Sequence, residues 1–115
     1  DPHNKVMIAT LIAEANRVED GIAMLQEVIK SDPRNYEALN ILVSIYEQTG
    51  RSSQAIPLRR EMIKLDPYNQ KNLLKLGQDL KAAGDLAGAK AIIPMIDAFA
   101  AYTPEAAQAK TEFGA

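Results

Sequence analysis

The sequence predicts an all-α protein, a solenoid of about three helix-turn-helix repeats followed by a C-terminal capping helix. A short phrase of aspartate, proline, any residue and asparagine occurs at Asp32–Asn35 and again at Asp66–Asn69. Apolar residues between the two copies follow the spacing of one helical face, and glycine or proline stands where each face ends. The distance between the copies is typical of stacked two-helix units, each burying its apolar face against a neighbour.

The middle unit, residues 34–67, shows the pattern most completely. Its first helix is predicted from apolar residues at i, i+3, i+4 and i+7, and Gly50 ends it. A second helix is predicted from about Ser53 to Leu65. It ends there because Asp66, which precedes Pro67, is driven out of the α region. The apolar positions of the first helix are Leu39, Leu42, Val43 and Tyr46, and those of the second are Ala55, Ile56, Leu58, Met62 and Ile63.

The first unit, residues 2–33, and the third, residues 68–101, repeat this order. Asn16 is predicted at the turn of the first unit because its short side chain tolerates a left-handed conformation. Pro94 lies inside the last second helix and is expected to kink it, since it removes a backbone hydrogen bond. The apolar face of the opening helix is predicted to be Ile8, Leu11 and Ile12, and that of the first helix of the third unit Leu73, Leu76, Gly77 and Leu80.

The two ends of the chain depart from the period. A further copy of the phrase, Asp1–Asn4, stands closer to the next copy than one full period, which predicts an opening helix about one turn short. This phrase is similar to the tail of an earlier repeat and the chain does not begin with methionine, so a fragment of a longer protein is expected. After residue 101 the repeat pattern is lost. A capping helix is predicted at 104–113, where Thr103 and Pro104 begin a helix whose Ala106, Ala109 and Phe113 cover Ile92, Ile96 and Phe99.

The middle and third units resemble the tetratricopeptide repeat (TPR) family. That family has a large apolar residue, a Leu-Gly pair and a tyrosine on its first helix, then a small residue early in the second helix and a proline after it. These places are filled by Leu39, Leu42-Val43, Tyr46, Ala55 and Pro67, and again by Leu73, Leu76-Gly77, Leu80 and Ala89. The resemblance covers about residues 2–101. It implies a right-handed superhelical TPR solenoid that forms a single domain over residues 1–115. Such a domain is expected to bind a peptide or protein segment in a concave groove and not to be an enzyme.

Arg59 departs from the family pattern, because it stands where the family packs an apolar side chain. Its aliphatic stem is expected to pack there while the guanidinium reaches water. A ligand-binding role for the guanidinium is the alternative.

Composition narrows the function classes. A formal charge of -2 and a pI near 5.4 argue against a nucleic-acid surface, which needs a strong positive field. The sequence contains no apolar run long enough for direct membrane insertion. Cysteine is absent, which fits a reducing or an oxidising compartment alike and leaves the localisation open. With His3 as its one histidine, the chain offers no catalytic constellation, and neither a cofactor nor a metal site is predicted.

The candidate binding residues follow from the resemblance, which implies that the first helices line the concave groove. An acidic ligand group over Lys71 and Lys75 would complement this surface. The same pair matches the last two positions of the clamp with which one TPR subset grips a peptide carboxylate. Ile41 replaces the central asparagine of that clamp and Val6 and Thr10 replace its first pair, so a mixed peptide groove is the better prediction. The predicted groove residues are Glu37, Asn40, Ser44, Glu47 and Gln48 on the middle helix, and Lys71, Leu74, Lys75, Gln78 and Lys81 on the next.

A second function class competes with the peptide-binding module. Residues 45–50 followed by 55–59 are similar to the TPR tails of bacterial membrane-embedded O-antigen polymerase or ligase proteins. This resemblance implies a structural soluble tail that acts in cell-surface polysaccharide assembly. The parent protein, the partner and the oligomeric state, including a homo-oligomer, stay open at this point.

Overall fold

The computed structural model describes residues 2–100 and 102–114, apart from the side chains of residues 99 and 100. The described residues form helices joined by short turns, which confirms the predicted all-α class. Packing divides the chain into two compact units, an N-terminal one that ends at Arg51 and a C-terminal one that begins at Ser52. The helices are α1 Pro2–Glu14, α2 Val18–Ser31, α3 Tyr36–Gln48, α4 Ser52–Leu65, α5 Gln70–Ala82, α6 Leu86–Lys90, α7 Ile92–Ala100 and α8 Pro104–Phe113.

The helix boundaries keep one register along the whole chain. α1, α3, α5 and α8 begin at Pro2, Tyr36, Gln70 and Pro104, which are equally spaced in the sequence. The prediction of a short opening helix is therefore wrong, because α1 has 13 residues, as do α3 and α5. Residues 2–4 of the first phrase lie in the first turn of α1, where proline is well tolerated, and not in a connecting loop. The repeat is also not lost after residue 101, since α8 starts where the first helix of a further unit would start.

The turns within the three helix-turn-helix repeats share one geometry. Asn16, Gly50 and Gly84 have positive φ angles of 66°, 74° and 89°, which confirms the left-handed conformation predicted for Asn16. In each case the amide of the following residue donates to the carbonyl five residues earlier, as in a Schellman motif. These bonds run from Arg17 to Ile12, from Arg51 to Tyr46 and from Asp85 to Leu80.

The core of the N-terminal unit confirms the predicted face of α3 and corrects that of α1. Leu42 is 1% exposed, whereas Ile8 and Leu11 on α1 are 49% and 62% exposed. The predicted face of α1 is thus wrong for Ile8 and Leu11, whereas Ile12 is half-buried, because α1 packs on α2 through small residues instead of large ones. A Cβ atom added at Gly21 would lie 2.8 Å from the Ala9 carbonyl oxygen. The core consists of Val6, Ala9, Ile22, Leu25, Val28, Ala38, Leu39, Leu42, Val43 and Tyr46.

α8 closes the core of the C-terminal unit, as the capping prediction states. The ring of Phe113 lies against the backbone of Gly77, where an added Cβ atom would be 2.6 Å from the ring Cζ. The predicted partner side chain of Phe99 lies outside the described residues. The core cluster is Leu73, Leu74, Leu76, Leu80, Ala89, Ile92, Ile96, Ala106, Ala109 and Phe113.

The second helix of the third unit is interrupted as its proline predicts. Helical structure stops after Lys90 and resumes at Ile92, with Ala91 in a turn. Pro94 has no N–H to donate to the Lys90 carbonyl, and its ring would clash with that carbonyl in a regular helix. The break therefore lies one turn before the proline itself.

Arg59 is buried, so the expectation that its guanidinium reaches water is wrong. The residue is 3% exposed, and its Nη1 donates to Asn72 Oδ1 at 2.7 Å. Its Nε lies 3.9 Å from Asp79 Oδ2, and both partners are also buried. The guanidinium remains inside because α5 supplies it with an amide oxygen and a carboxylate.

An exposed ion pair connects the end of α3 with the start of α2. Arg51 donates to the carboxylate of Glu19, and this hydrogen bond raises the pKa of the Arg51 guanidinium above its ordinary value. At the start of α2, Asp20 Oδ2 accepts a hydrogen bond from Arg17 Nε at 2.9 Å. Both acidic residues also lie in the first turn of α2, where negative charge complements the helix dipole.

Candidate functional site

A cleft of about 260 Å³ opens between α1 and α3 in the N-terminal unit. It lies on the first-helix face, which is where the binding surface was predicted. One residue of α2, Val18, also lines the cleft. The remaining lining residues are Thr10, Ala13 and Glu14 from α1 and Ile41, Ser44, Ile45 and Gln48 from α3.

The small residues of α1 shape this cleft. Ala13 faces Gly21 on α2, where an added Cβ atom would lie 2.9 Å from the Ala13 Cβ. A larger side chain at either position would push α1 and α2 apart. Because alanine also fills little space towards α3, room remains between the first helices.

The floor of the cleft is apolar and its rim is polar. Ile41 and Ile45 are half-buried and form the floor together with Ala13 and Val18. Thr10 Oγ1 donates to the Val6 carbonyl at 2.8 Å, and Ser44 Oγ donates to the Asn40 carbonyl at 2.9 Å. Both hydroxyl protons are thus committed to the backbone, and the hydroxyl oxygens still offer lone pairs.

The predicted groove residues of α3 are distributed over different surroundings. Ser44 and Gln48 line the cleft, whereas Asn40 is exposed and Glu47 is half-buried, both outside the lining. Glu37 accepts from His3 Nδ1, with its two carboxylate oxygens at 2.8 and 3.0 Å. This exposed contact joins the first turns of α1 and α3.

The predicted groove residues of α5 separate into three groups. Lys71 and Lys75 are exposed, one helical turn apart. Leu74 is 7% exposed and belongs to the core cluster, so its assignment to a groove is wrong. It packs in that cluster together with Leu73, Leu76 and Leu80 of the same helix.

The third group on α5, Gln78 and Lys81, forms hydrogen bonds with the capping helix α8. Gln78 donates to the Glu112 carboxylate at 3.1 Å, and Lys81 donates to the Glu112 carbonyl at 2.8 Å. These contacts correct the prediction that both side chains face an open groove. Asn72 of the same helix does not face a groove either, because its side chain is buried against Arg59.

The contribution of α1 to the cleft was not predicted from the sequence. Ala13 and Glu14 of α1 were not predicted, and neither were Val18 of α2 and Ile45 of α3; Thr10 and Ile41 were named only in the comparison with a carboxylate clamp. The constant register of the repeat carries the missing signal, since Thr10 and Glu14 stand one period before Ser44 and Gln48. The short spacing of the first two phrases concealed this equivalence.

Comparison with known families decides the classification. The profile described as tetratricopeptide repeat matches residues 6–70, more than half of the chain. This chain belongs to the tetratricopeptide repeat family. The predicted TPR resemblance is thereby confirmed.

Solved structures show that the TPR chain shares its fold with distant relatives. A MamA structure is 19% identical with a TM-score of 0.75, over 99% of this chain and 68% of that one. The second TPR domain of human RPAP3, solved with the HSP70 peptide SGPTIEEVD, is 16% identical with a TM-score of 0.77. The match covers 100% of this chain and 99% of that one. The first TPR of Spaghetti (RPAP3), bound to the HSP90 peptide SRMEEVD, is 14% identical with a TM-score of 0.75. The match covers 98% of this chain and 90% of that one. A search of curated protein sequences finds no match.

The described part of the TPR chain holds neither a metal cluster nor a membrane span. Within residues 2–100 and 102–114, no group of three or more His, Asp or Glu side chains is arranged to hold a metal ion. Among the described helices, none combines the length and the apolar character needed to cross a membrane.

Proposed function

We propose that this TPR chain is a non-catalytic interaction module that binds a peptide segment of a partner protein in the cleft between α1 and α3. The observation that carries the proposal is the apolar floor of Ile41 and Ile45 beneath a rim of hydroxyl, amide and carboxylate groups. Sites of this composition use the apolar part for affinity and the polar part for orientation.

Similarity to peptide-bound structures supports this proposal. The two RPAP3 structures are TPR domains in complex with peptides, and each covers nearly all of this chain. Their low sequence identity means that the likeness concerns the fold, and the side chains of this cleft must decide what is bound here.

The size of the cleft indicates a single anchoring side chain. Drug-sized ligands occupy clefts of roughly 300 to 1,000 Å³, and the volume here is about 260 Å³. Contacts of the peptide backbone with the rim must therefore add to the anchor. We expect dissociation constants in the micromolar range, about −8 kcal/mol at 1 μM.

The cleft assignment is tested with peptides selected from a phage-displayed random library against the whole chain. Replacing both Ile41 and Ile45 by serine removes most of the apolar floor. We expect the affinity for the selected peptides to fall at least about tenfold, equivalent to about 1.4 kcal/mol, as measured by isothermal titration calorimetry.

The matched control is Leu11→Ser, which removes an exposed leucine of α1 that does not line the cleft. Its peptide affinity should stay within about twofold of the wild type. Thermal unfolding of both variants verifies that they remain folded. Equal affinities of the double variant and the wild type would show that the selected peptides bind elsewhere.

We further propose that Lys71 and Lys75 receive an acidic group of the partner. The two ammonium groups stand at i and i+4 on α5, where like charges repel modestly, so an anion between them relieves a cost as well as gaining attraction. The peptides of both RPAP3 structures contain two adjacent glutamates and a final aspartate, which makes acidic peptides suitable probes.

Replacing both lysines by glutamate should weaken the binding of an acidic peptide at least about tenfold at low salt, equivalent to about 1.4 kcal/mol. Fluorescence polarisation with a labelled SGPTIEEVD peptide measures this change. The control with equal charge change is Arg60→Glu with Lys90→Glu, since both residues are exposed in the same unit. If the control variant weakens binding as strongly, the effect comes from net charge and not from the α5 pair.

The alternative of a structural tail in cell-surface polysaccharide assembly stays a prediction. The contacts described above do not favour it over the binding module. Apolar membrane spans encoded upstream of this chain would support it.

A further inference from the structure

We infer that the cleft between α1 and α3 selects a lysine or arginine side chain of the bound peptide. This inference rests on the proposed function, because it specifies the residue that the cleft accepts. It is supported by the composition of the floor, the direction of the hydroxyl protons and the charge at the rim.

The floor suits the stem of a basic side chain. Ile41, Ile45, Ala13 and Val18 present only aliphatic groups to the cleft. Lysine and arginine carry three or four methylene groups that pack on apolar surfaces while the charged end remains near polar groups. A narrow cleft with an apolar floor and an open polar rim accommodates both parts at once.

The rim hydroxyls are arranged to accept hydrogen bonds. Thr10 and Ser44 each donate their proton to a carbonyl of their own helix, at 2.8 and 2.9 Å. Their oxygens can therefore only accept hydrogen bonds from a ligand. This suits the N–H groups of a cation and not the oxygens of a carboxylate.

The one charged residue among those lining the cleft is acidic. Glu14 is exposed at the last turn of α1, and its ionised carboxylate can only accept hydrogen bonds. The arginines that follow α1 and α3 are engaged elsewhere, since Arg17 pairs with Asp20 and Arg51 with Glu19. Gln48 adapts to either kind of ligand by rotating its amide, so it does not oppose this preference.

A small-molecule titration of the whole chain tests the inference. The probes are n-butylammonium, which reproduces the lysine side chain, pentanoate, which carries the opposite charge, and 1-butanol, which is neutral. Backbone amide shifts of Ala13, Ser44 and Gln48, followed by ¹H–¹⁵N NMR, report on occupancy. We expect n-butylammonium to bind about three- to fivefold more tightly than the other probes. Raising NaCl from about 20 to about 300 mM should reduce only this difference.

The decisive variant is Glu14→Gln, which keeps the shape of the side chain and removes its charge. It should reduce the affinity for n-butylammonium to that for 1-butanol. Glu27→Gln is the matched control, because it removes the same charge from an exposed site of the same unit outside the cleft. Equal loss in both variants would assign the preference to net charge and overturn the inference.

The peptides selected from the library provide a second, independent arm. We expect them to contain a lysine or arginine whose replacement by norleucine lowers affinity about three- to fivefold. If selected peptides bind the cleft without a basic residue, or if pentanoate or 1-butanol binds as well as n-butylammonium, the inference is wrong and the proposed function remains. If no probe and no peptide shifts the cleft residues, both are wrong.

Discussion

Replacing Arg59 by alanine is expected to lower the free energy of unfolding by about 3 to 5 kcal/mol, because it deprives a buried carboxylate of its cation. The guanidinium donates to Asn72 and lies 3.9 Å from Asp79, and both residues are buried with it. Urea denaturation followed by circular dichroism measures the change. A loss below about 1 kcal/mol would mean that this cluster is solvated in solution.

The chain itself supplies a matched control for this cluster. The residues one period before Arg59, Asn72 and Asp79 are Leu25, Ala38 and Ile45. The triple variant Arg59→Leu, Asn72→Ala and Asp79→Ile therefore carries the apolar residues that stand at these positions in the N-terminal unit, where Leu25 and Ala38 are buried and Ile45 is half-buried. Since well-packed apolar residues often equal or exceed a buried ion pair in stability, we expect the triple variant to recover the loss. Failure to recover would contradict the equivalence of the two arrangements.

Replacing Phe113 by alanine is expected to lower the free energy of unfolding by about 3 to 5 kcal/mol, since it empties the contact between α8 and α5. Phe113 is fully buried, and its ring lies against Gly77. The same denaturant measurement applies. Gly77→Ala should also destabilise the wild type, but less so in the Phe113→Ala background, because the removed ring is what obstructs the new methyl group. Additive effects of the two substitutions would contradict this contact.

Deleting residues 102–115 is a stronger form of the same experiment. It uncovers Ile92 and Ile96, which α8 helps to cover. Exposed apolar patches of this kind promote association, so we expect the truncated chain to dimerise or aggregate in analytical ultracentrifugation. A truncated chain that stays monomeric and equally stable would show that α8 does not protect the core.

Several elements were predictable because their causes lie within a few residues of the chain. The left-handed turn at Asn16, the cap at Thr103 and the break before Pro94 each depend on local backbone geometry. The same is true of the apolar stripe of α3, whose spacing shows which side of the helix is buried. The second helix of the middle unit, predicted from about Ser53, begins at Ser52.

The incorrect predictions have a different cause, because they concern helix faces whose contacts come from residues far along the chain. Ile8 and Leu11 satisfy the helical spacing of a core face, yet α1 turns Ala9 towards Gly21 and leaves them exposed. Gln78 and Lys81 have the spacing of a groove face, yet Glu112 of α8 binds them both. Periodicity identifies the sides of a helix, but it does not identify which neighbour covers each side.

By itself, the sequence of this TPR protein determined the helical class, the two-helix repeat and the turn geometry. These depend on propensities and periods that each segment carries alone. Only the tertiary structure decided that Arg59 is buried with Asn72 and Asp79, and that Thr10, Glu14, Ser44 and Ile45 form one cleft. The reason is physical, since burial and cleft shape arise from how closely two helices approach. That approach depends on small residues such as Ala13 and Gly21, whose effect appears only when their helices are packed together.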